Sequence, residues 1–137
     1  MPEIEWTSDF EIGIFEIDLQ HRSLVSIANQ LIDAVEAGKP KSTIEWILDE
    51  LLVYARMHFV TEEQYLKRYM DKGLSQHKGE HHHLLKAMRR FRKKVHDGDE
   101  DVGEKVLEFF SAWLPDHLAG SDQSLGEAYR TFKKGPK

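Results

Sequence analysis

Seven residues of metal-binding types recur on the apolar faces of four long segments in this 137-residue sequence. They are five histidines and two carboxylates, namely His21, His58, Glu62, His77, His81, His117 and Asp122. Burying such a polar or charged side chain without a partner costs several kcal/mol. The set therefore predicts something bound inside the protein, and two metal ions would satisfy all seven residues.

Two pairs within the set have the spacing of one helical turn. His58 and Glu62 are four residues apart, and so are His77 and His81. This spacing places both side chains of a pair on one helix face, close enough to share a metal or to hold two adjacent metals. Either pair alone also occurs by chance on a solvated helix. Two pairs in register with the apolar positions indicate a site.

The last two members of the set are five residues apart and need a local irregularity. A regular helix would turn Asp122 roughly 140° away from His117. Pro115 removes a backbone donor, and Gly120 and Ser121 lie between the two candidates. We therefore predict a π-bulge or a loosened helical turn over 115–122, which would let both side chains face inward.

Four amphipathic helices are needed to position these residues. Apolar residues step by four and three along each segment, which is the core stripe of a helix in a bundle. The helices are predicted at about 18–37, 43–72, 75–96 and 100–120. Short loops between them predict one all-α domain over 1–137, a four-helix bundle with antiparallel up-down-up-down order.

Both ends of the chain are predicted to lie outside the four helices. Residues 1–16 are expected to form a non-helical arm that packs against the bundle through Trp6, Phe10, Ile12 and Ile14. The tail over 123–137 is expected to hold a short helix around Leu125–Phe132.

Helix caps can be assigned from residue type. Ser42 and Glu45 have the spacing of a capping box that opens the second helix. Asp18 could accept a hydrogen bond from His21, because metal-binding histidines usually donate through their second ring nitrogen. The N-cap of the first helix is the favoured role for Asp18.

Composition excludes several classes of protein. The net charge is −5 and the basic residues are scattered, which argues against a nucleic-acid partner. No apolar run is long enough for membrane insertion, and the first residues do not resemble a signal peptide, so a cytoplasmic location is expected. With no cysteine, a metal site must be built from nitrogen and oxygen donors.

Three other interpretations compete with the seven-residue site. The histidines and carboxylate could simply form buried, mutually satisfied pairs. Residues 77–81 fit the zinc-protease string H-x-x-E-H, but its Glu80 lies off the inner face. Glu80 and His83 fit one ferritin-like E-x-x-H motif, which that class needs twice. His82 and His83 are expected to be solvated, and His96 is expected at a helix C-terminus, where a partly charged imidazole suits the helix dipole. None of the three is expected to bind the metal.

The motifs around the seven residues resemble those of the hemerythrin family, in its single-domain bacterial form. The first is Trp6…Phe10…Gly13…Asp18-x-Gln20-His21. The others are His58-Phe59-x-x-Glu62-Glu63, His77-x-x-x-His81 and Trp113-Leu114-x-x-His117-x-x-x-x-Asp122. The resemblance extends from residue 6 to about residue 122, with all seven positions present.

The resemblance implies a non-haem diiron centre as cofactor. His77, His81 and His117 would bind one iron, and His21 and His58 the other. Glu62 and Asp122 would bridge both ions, together with an oxo or hydroxo group from solvent. If each iron takes about six donors, one position stays open on the iron with two histidines, and dioxygen would bind there. An apolar wall would line this pocket, formed by Leu24, Phe59, Trp113, Leu114 and Leu118.

Two functions are compatible with this centre. The first is reversible dioxygen binding for storage, transport or delivery, with dioxygen and an oxygen-consuming enzyme as partners of a monomer. The alternative is a diiron enzyme that works as a peroxidase or oxidase or handles nitric oxide, or a sensor that uses the same centre. Five neutral imidazoles and few carboxylates favour binding over catalysis, so we expect no enzymatic activity.

Overall fold

Five α-helices and two short 3₁₀ turns make up the computed structural model, which describes residues 3–99, 101–118 and 122–134. The side chains of Asp71 and Asp122 are also outside this description. The helices are α1 (Phe15–Glu36), α2 (Lys41–Tyr69), α3 (Leu74–His96), α4 (Val102–Asp116) and α5 (Asp122–Lys134). The predicted all-α four-helix bundle is confirmed, and no strand occurs in the described part of the chain.

The first four helices form the bundle. Each packs on the next, and α4 returns to contact α1. Short connections join them in antiparallel order, and their apolar stripes meet in one core. None of the described helices has the length and apolar character needed to cross a bilayer.

Glycines end α1 and α3 in the same way. Gly38 and Gly98 have φ values of +66° and +81°, in the left-handed region that favours glycine. After each glycine the next amide bonds back to a carbonyl in the last turn, Lys39 to Ala34 and Asp99 to Lys94. These paired bonds satisfy carbonyls that a helix end would otherwise leave open.

The predicted capping box of Ser42 and Glu45 is wrong. The second helix begins at Lys41, so Ser42 lies inside its first turn, and the Pro40 carbonyl accepts the first amide bonds. Glu45 instead accepts a hydrogen bond from Nδ1 of His96 at 3.0 Å, which ties α2 to the end of α3.

Asp18 has neither of its two predicted roles. The first helix begins at Phe15 with Ile14 as N-cap, three residues earlier than predicted. The Asp18 carboxylate accepts the amides of Ile12 and Gly13 at 2.7 and 3.2 Å. It therefore fastens the arm to the first turn of α1.

The arm and α5 pack together at one end of the bundle. Ile12, Ile14, Ile17, Leu66 and Leu125 form a second buried cluster. Arg130 donates to the Ile12 carbonyl at 2.8 Å, and Gln123 donates to the carbonyls of Asp9 and Glu11. We call these three hydrogen bonds the latch. They hold the arm over the end of the bundle that contains His21.

Candidate metal centre

The five predicted histidines and Glu62 come together inside the bundle. His21, His58 and Glu62 are completely buried, and His77, His81 and His117 are 7%, 2% and 3% exposed. They come from α1, α2 and α3 and from the turn that follows α4. Asp122 begins α5, but its side chain lies outside the described residues, so its predicted role stays a prediction.

The predicted irregularity after Pro115 is present. His117 and Leu118 form a π-helical turn at the end of α4. In a π-helical turn each residue rotates about the helix axis by less than the usual 100°. Two residues that are five apart can therefore face the same side. His117 stands at the start of this turn, four residues after Trp113 and in register with the apolar stripe of α4.

Four imidazoles converge on the Glu62 carboxylate through Nε2. His58 and His117 lie 3.1 and 3.7 Å from Oε2. On the other side, His77 and His81 lie 3.6 and 3.5 Å from Oε1. The two oxygens of one carboxylate thus face two separate groups of nitrogen donors.

The donor atoms have the spacing of ligands around ions. By their distances from one another His117 is grouped with His81, although the Glu62 oxygen it faces is the one that His58 also faces. In each of two sets, the donor atoms all lie within 4.8 Å of one another. The sets are His21–His58–Glu62 and Glu62–His81–His117, and both contain Glu62. Most of the distances between these Nε2 atoms and the Glu62 oxygens exceed the length of an ordinary hydrogen bond. Two donors at right angles, each about 2.1 Å from a metal, would be about 3 Å apart. The geometry therefore fits two cations that share Glu62.

The outer nitrogen of four rings is held by an acceptor. Nδ1 of His21 donates to the Phe10 carbonyl at 2.8 Å, and Nδ1 of His77 donates to the Gly73 carbonyl at 3.3 Å. A carbonyl oxygen can only accept, so Nδ1 carries the proton and the Nε2 lone pair faces the centre. This is the tautomer that a metal ligand requires.

Side chains hold the other two rings. Nδ1 of His58 lies 2.9 Å from Oε1 of Gln20, whose amide donates to Thr61 at 3.2 Å. Nδ1 of His81 lies 2.9 Å from Oε2 of Glu63. Gln20 and Glu63 hold metal-site rings, a role that the ligand pattern did not assign to them. The available signal was their place in the quoted motifs, directly beside His21 and Glu62.

Burial and charge set the protonation of these rings. Burial lowers the pKa of His58 to about 4 against the opposing effect of Glu62, and burial also lowers the pKa of His21. Burial acts in the same direction on His81, but the carboxylates of Glu62 and Glu63 outweigh it and raise the pKa of His81. A cation bound beside His81 would displace its proton, because metal ligands must be deprotonated.

Aromatic and aliphatic side chains enclose the centre. The Phe59 ring stacks on His81 with centroids 4.0 Å apart, and the Trp113 ring stacks on His117 at 5.1 Å. Of the five predicted wall residues, Leu24, Phe59, Leu114 and Leu118 are buried, while Trp113 is half-buried. His82 and His83 are exposed, as expected, and His96 contacts Glu45 away from the centre.

Comparisons with known proteins agree with this arrangement. A family model described as the hemerythrin HHE cation binding domain matches residues 12–129. The bacteriohemerythrin of Clostridium acetobutylicum is 34% identical over 122 residues, which cover 86% of this chain and 95% of that protein. The bacteriohemerythrin of Pseudomonas aeruginosa is 31% identical over 130 residues, covering 95% and 84%.

A solved structure gives the same result for the fold. The crystal structure of wild-type hemerythrin superposes with a TM-score of 0.83 at 29% identity. The superposition covers 93% of this chain and 98% of that chain.

Proposed function

The chain belongs to the hemerythrin family, and we propose that it binds dioxygen reversibly at a non-haem diiron centre. The observation that carries this proposal is the position of Glu62, whose two oxygens face two groups of imidazole nitrogens. Nitrogen and oxygen donors without thiolates suit iron. A pair of ferrous ions held there would be able to supply two electrons to bound dioxygen and take them back on its release.

We assign the donors as the family resemblance implies. His77, His81 and His117 would hold one iron, His21 and His58 the other, and Glu62 and Asp122 would bridge them. The iron held by His21 and His58 would have a position left for dioxygen, and Leu24, Phe59, Trp113, Leu114 and Leu118 would form the pocket beside it. A bridging oxo or hydroxo group would come from solvent and would need no further side chain.

The surrounding residues would keep water and protons away from this centre. Phe59, Leu114 and Leu118 are buried, and the outer ring nitrogens of His21, His58, His77 and His81 are bonded to acceptors. Protons from water would favour the reduction of bound dioxygen. A site that excludes water therefore allows dioxygen to leave unchanged. For this reason we propose a binding protein and not an enzyme.

The proposed role is storage of dioxygen or its delivery to an oxygen-consuming enzyme. We propose a monomer as the functional unit. A diiron peroxidase, an oxidase, a nitric oxide-handling enzyme and a sensor would use the same residues, and the experiment below separates reversible binding from turnover.

The test is the visible spectrum of anaerobic ferrous protein before air, after air and after removal of oxygen. We expect a nearly colourless protein with two irons per chain that gains a visible band in air and loses it under vacuum. Repeated cycles should return the same amplitude. Irreversible oxidation that is coupled to consumption of a peroxide or of nitric oxide would replace the carrier by an enzyme.

A further inference from the structure

A chain of three hydrogen bonds crosses the interface between α1 and α2 beside the candidate metal centre. The Thr61 hydroxyl lies 3.1 Å from the Met57 carbonyl oxygen and 3.2 Å from the side-chain amide of Gln20. The other end of the Gln20 amide lies 2.9 Å from Nδ1 of His58. Thr61 and Gln20 are only 9% and 8% exposed, and His58 is completely buried. Water therefore competes little for these bonds.

The Met57 carbonyl sets the direction of every bond in this chain. A carbonyl oxygen only accepts, so Thr61 donates its single hydroxyl proton to Met57 and acts as an acceptor toward Gln20. The Gln20 amide has one donor end and one acceptor end, and its NH₂ end is the one that faces Thr61. Its carbonyl oxygen therefore faces His58, and an acceptor in this position requires the ring proton on Nδ1.

His58 differs in this respect from the other three histidines with a described contact at the outer nitrogen. His21 and His77 face backbone carbonyls, and His81 faces the Glu63 carboxylate. A carbonyl or an ionised carboxylate offers only acceptors. The Gln20 amide presents either a donor or an acceptor, depending on which way it is turned. The His58 tautomer therefore depends on a third residue that holds the amide in one orientation.

Two acceptors compete for the proton of His58. Gln20 lies on the Nδ1 side, while Oε2 of Glu62 lies 3.1 Å from Nε2. Burial lowers the pKa of His58 to about 4, so the ring carries a single proton at neutral pH. Glu62, as a carboxylate, is the stronger acceptor of the two. If the Gln20 amide turned over, the proton would move to Nε2, the nitrogen that the metal requires.

We propose that Thr61 is a positioning residue for the candidate metal centre. By fixing the orientation of Gln20, it keeps the His58 proton on Nδ1 and directs the Nε2 lone pair toward the ion. The effect on metal binding rests on the proposed diiron function, whereas the place of the proton does not. Thr61 directly precedes Glu62, and Gln20 directly precedes His21. Each of the two helices thus supplies a candidate ligand and, beside it, a residue that prepares His58.

The test is the tautomer of His58 in metal-free, folded protein at pH 7, determined from the ¹⁵N NMR signals of its ring. A nitrogen that carries the proton and a nitrogen with a lone pair give separate signals, and His58→Gln identifies the pair that belongs to His58. Thr61→Val keeps the shape of the side chain without the hydroxyl. Thr61→Ser keeps the hydroxyl without the methyl group. Thr131→Val is the control, because Thr131 also donates to the carbonyl four residues earlier, but on α5.

We expect the proton of His58 on Nδ1 in the wild type, Thr61→Ser and Thr131→Val, and on Nε2 in Thr61→Val. Thr61→Val should also bind one of its two metal ions about tenfold more weakly, because the tautomer must change before the ion binds. Titration with Co²⁺, followed by its visible absorption, gives the affinities. Circular dichroism verifies the helix content, and Thr61→Ala takes the place of Thr61→Val if the valine variant does not fold.

Three results would overturn the role of Thr61. They are a His58 proton on Nε2 in the wild type, an unchanged tautomer in Thr61→Val, and a displaced proton in Thr61→Ser, which would assign the effect to the methyl group. A displaced proton in Thr61→Val with wild-type metal affinity would overturn the link to metal binding. A wild type that keeps the proton on Nδ1 but binds no metal, or only one ion, contradicts the diiron centre and leaves the control of the His58 tautomer intact.

Discussion

Glu63 and His81 are joined by a 2.9 Å contact between Oε2 and Nδ1, while Glu62 faces the opposite nitrogen of the same ring. Two consecutive glutamates thus act on one imidazole from two sides. Glu63 orients the ring and increases its basicity, and Glu62 shares the centre with it. The function of each glutamate can be separated by substitution.

Glu63→Gln should weaken iron binding without abolishing it. The amide oxygen can still accept from Nδ1 of His81, but it lacks the charge that makes the ring a strong donor. Loss of such an outer partner costs about 10- to 100-fold in metal affinity. Competition with a chelator measures the affinity, and the exposed Glu50→Gln on the same helix is the control. Equal affinities in the wild type and both variants would show that Glu63 has no such role.

Glu62→Ala should lose at least one of the two irons. This carboxylate faces both groups of imidazoles, so its removal leaves neither group complete. Iron per chain, measured by elemental analysis on folded protein, checks the prediction, and Glu50→Ala again serves as control. One zinc per chain in both the wild type and Glu62→Ala would contradict the diiron assignment.

The metal-free protein should lose stability as the pH falls from about 6.5 toward 4. The folded-state pKa of His58 is lowered to about 4, so between these values the unfolded state binds more protons and the free energy of unfolding decreases. His58 alone should lower the free energy of unfolding by about 1.5 kcal/mol between pH 6.5 and 5.

Denaturant unfolding of the metal-free wild type and His58→Gln across this range measures the effect. The glutamine does not titrate, so the variant should show a smaller decrease. The raised pKa of His81 acts in the opposite sense, since its stabilisation is present at low pH and is lost as the pH rises. Both proteins keep His81, and the difference between them isolates His58. Parallel curves would contradict the prediction.

Leu24→Ser should shorten the lifetime of the oxygenated protein while leaving the iron content nearly intact. Leu24 is buried one turn from His21, and a hydroxyl there would admit water to the proposed pocket. The decay of the visible band after exposure to air is the measurement. Leu31→Ser, a buried leucine two turns further along α1, is the control for general loosening of the core. Equal lifetimes in all three proteins would limit Leu24 to core packing.

Gly126→Val should separate α5 from the arm. A Cβ atom at position 126 would lie 2.3 Å from the Ile12 carbonyl oxygen, which is backbone and cannot turn away. We expect the free energy of unfolding to fall by about 1–3 kcal/mol. Gly79→Ala on α3, where an added Cβ meets nothing within 4 Å, should instead raise it by roughly 0.5–1 kcal/mol. If the free energy of unfolding of Gly126→Val equals that of the wild type, the arm can move away from the added side chain.

Positions that depend on helical phase could be predicted from the sequence. The inward histidines follow the apolar stripe of their helices, and the five-residue gap before Asp122 predicted the irregular turn that contains His117. Contacts that depend on another helix could not be predicted in this way. Glu63 reaches His81 because α2 and α3 pack side by side, and the partner of His21 is a backbone carbonyl, which has no sequence signature.

The two wrong cap assignments have a common cause. Asp18 and Glu45 both have residue types that cap helices, but each finds a partner outside its own helix end. A capping rule considers only the residues at the end of one helix. It therefore does not include the arm amides that bond to Asp18 or the His96 ring that bonds to Glu45.

The latch has a consequence for the order in which the protein folds. Its bond between Arg130 and Ile12 closes a segment of 118 residues, and the entropy lost on closing a segment grows with its length. Contacts between distant residues also form late in folding, whereas the α2–α3 hairpin can form early. The Phe10 carbonyl that holds His21 lies on the arm, between the Asp9 and Glu11 carbonyls that the latch engages. We therefore expect nascent chains to assemble the donors of α2 and α3 first and to complete the His21 side last.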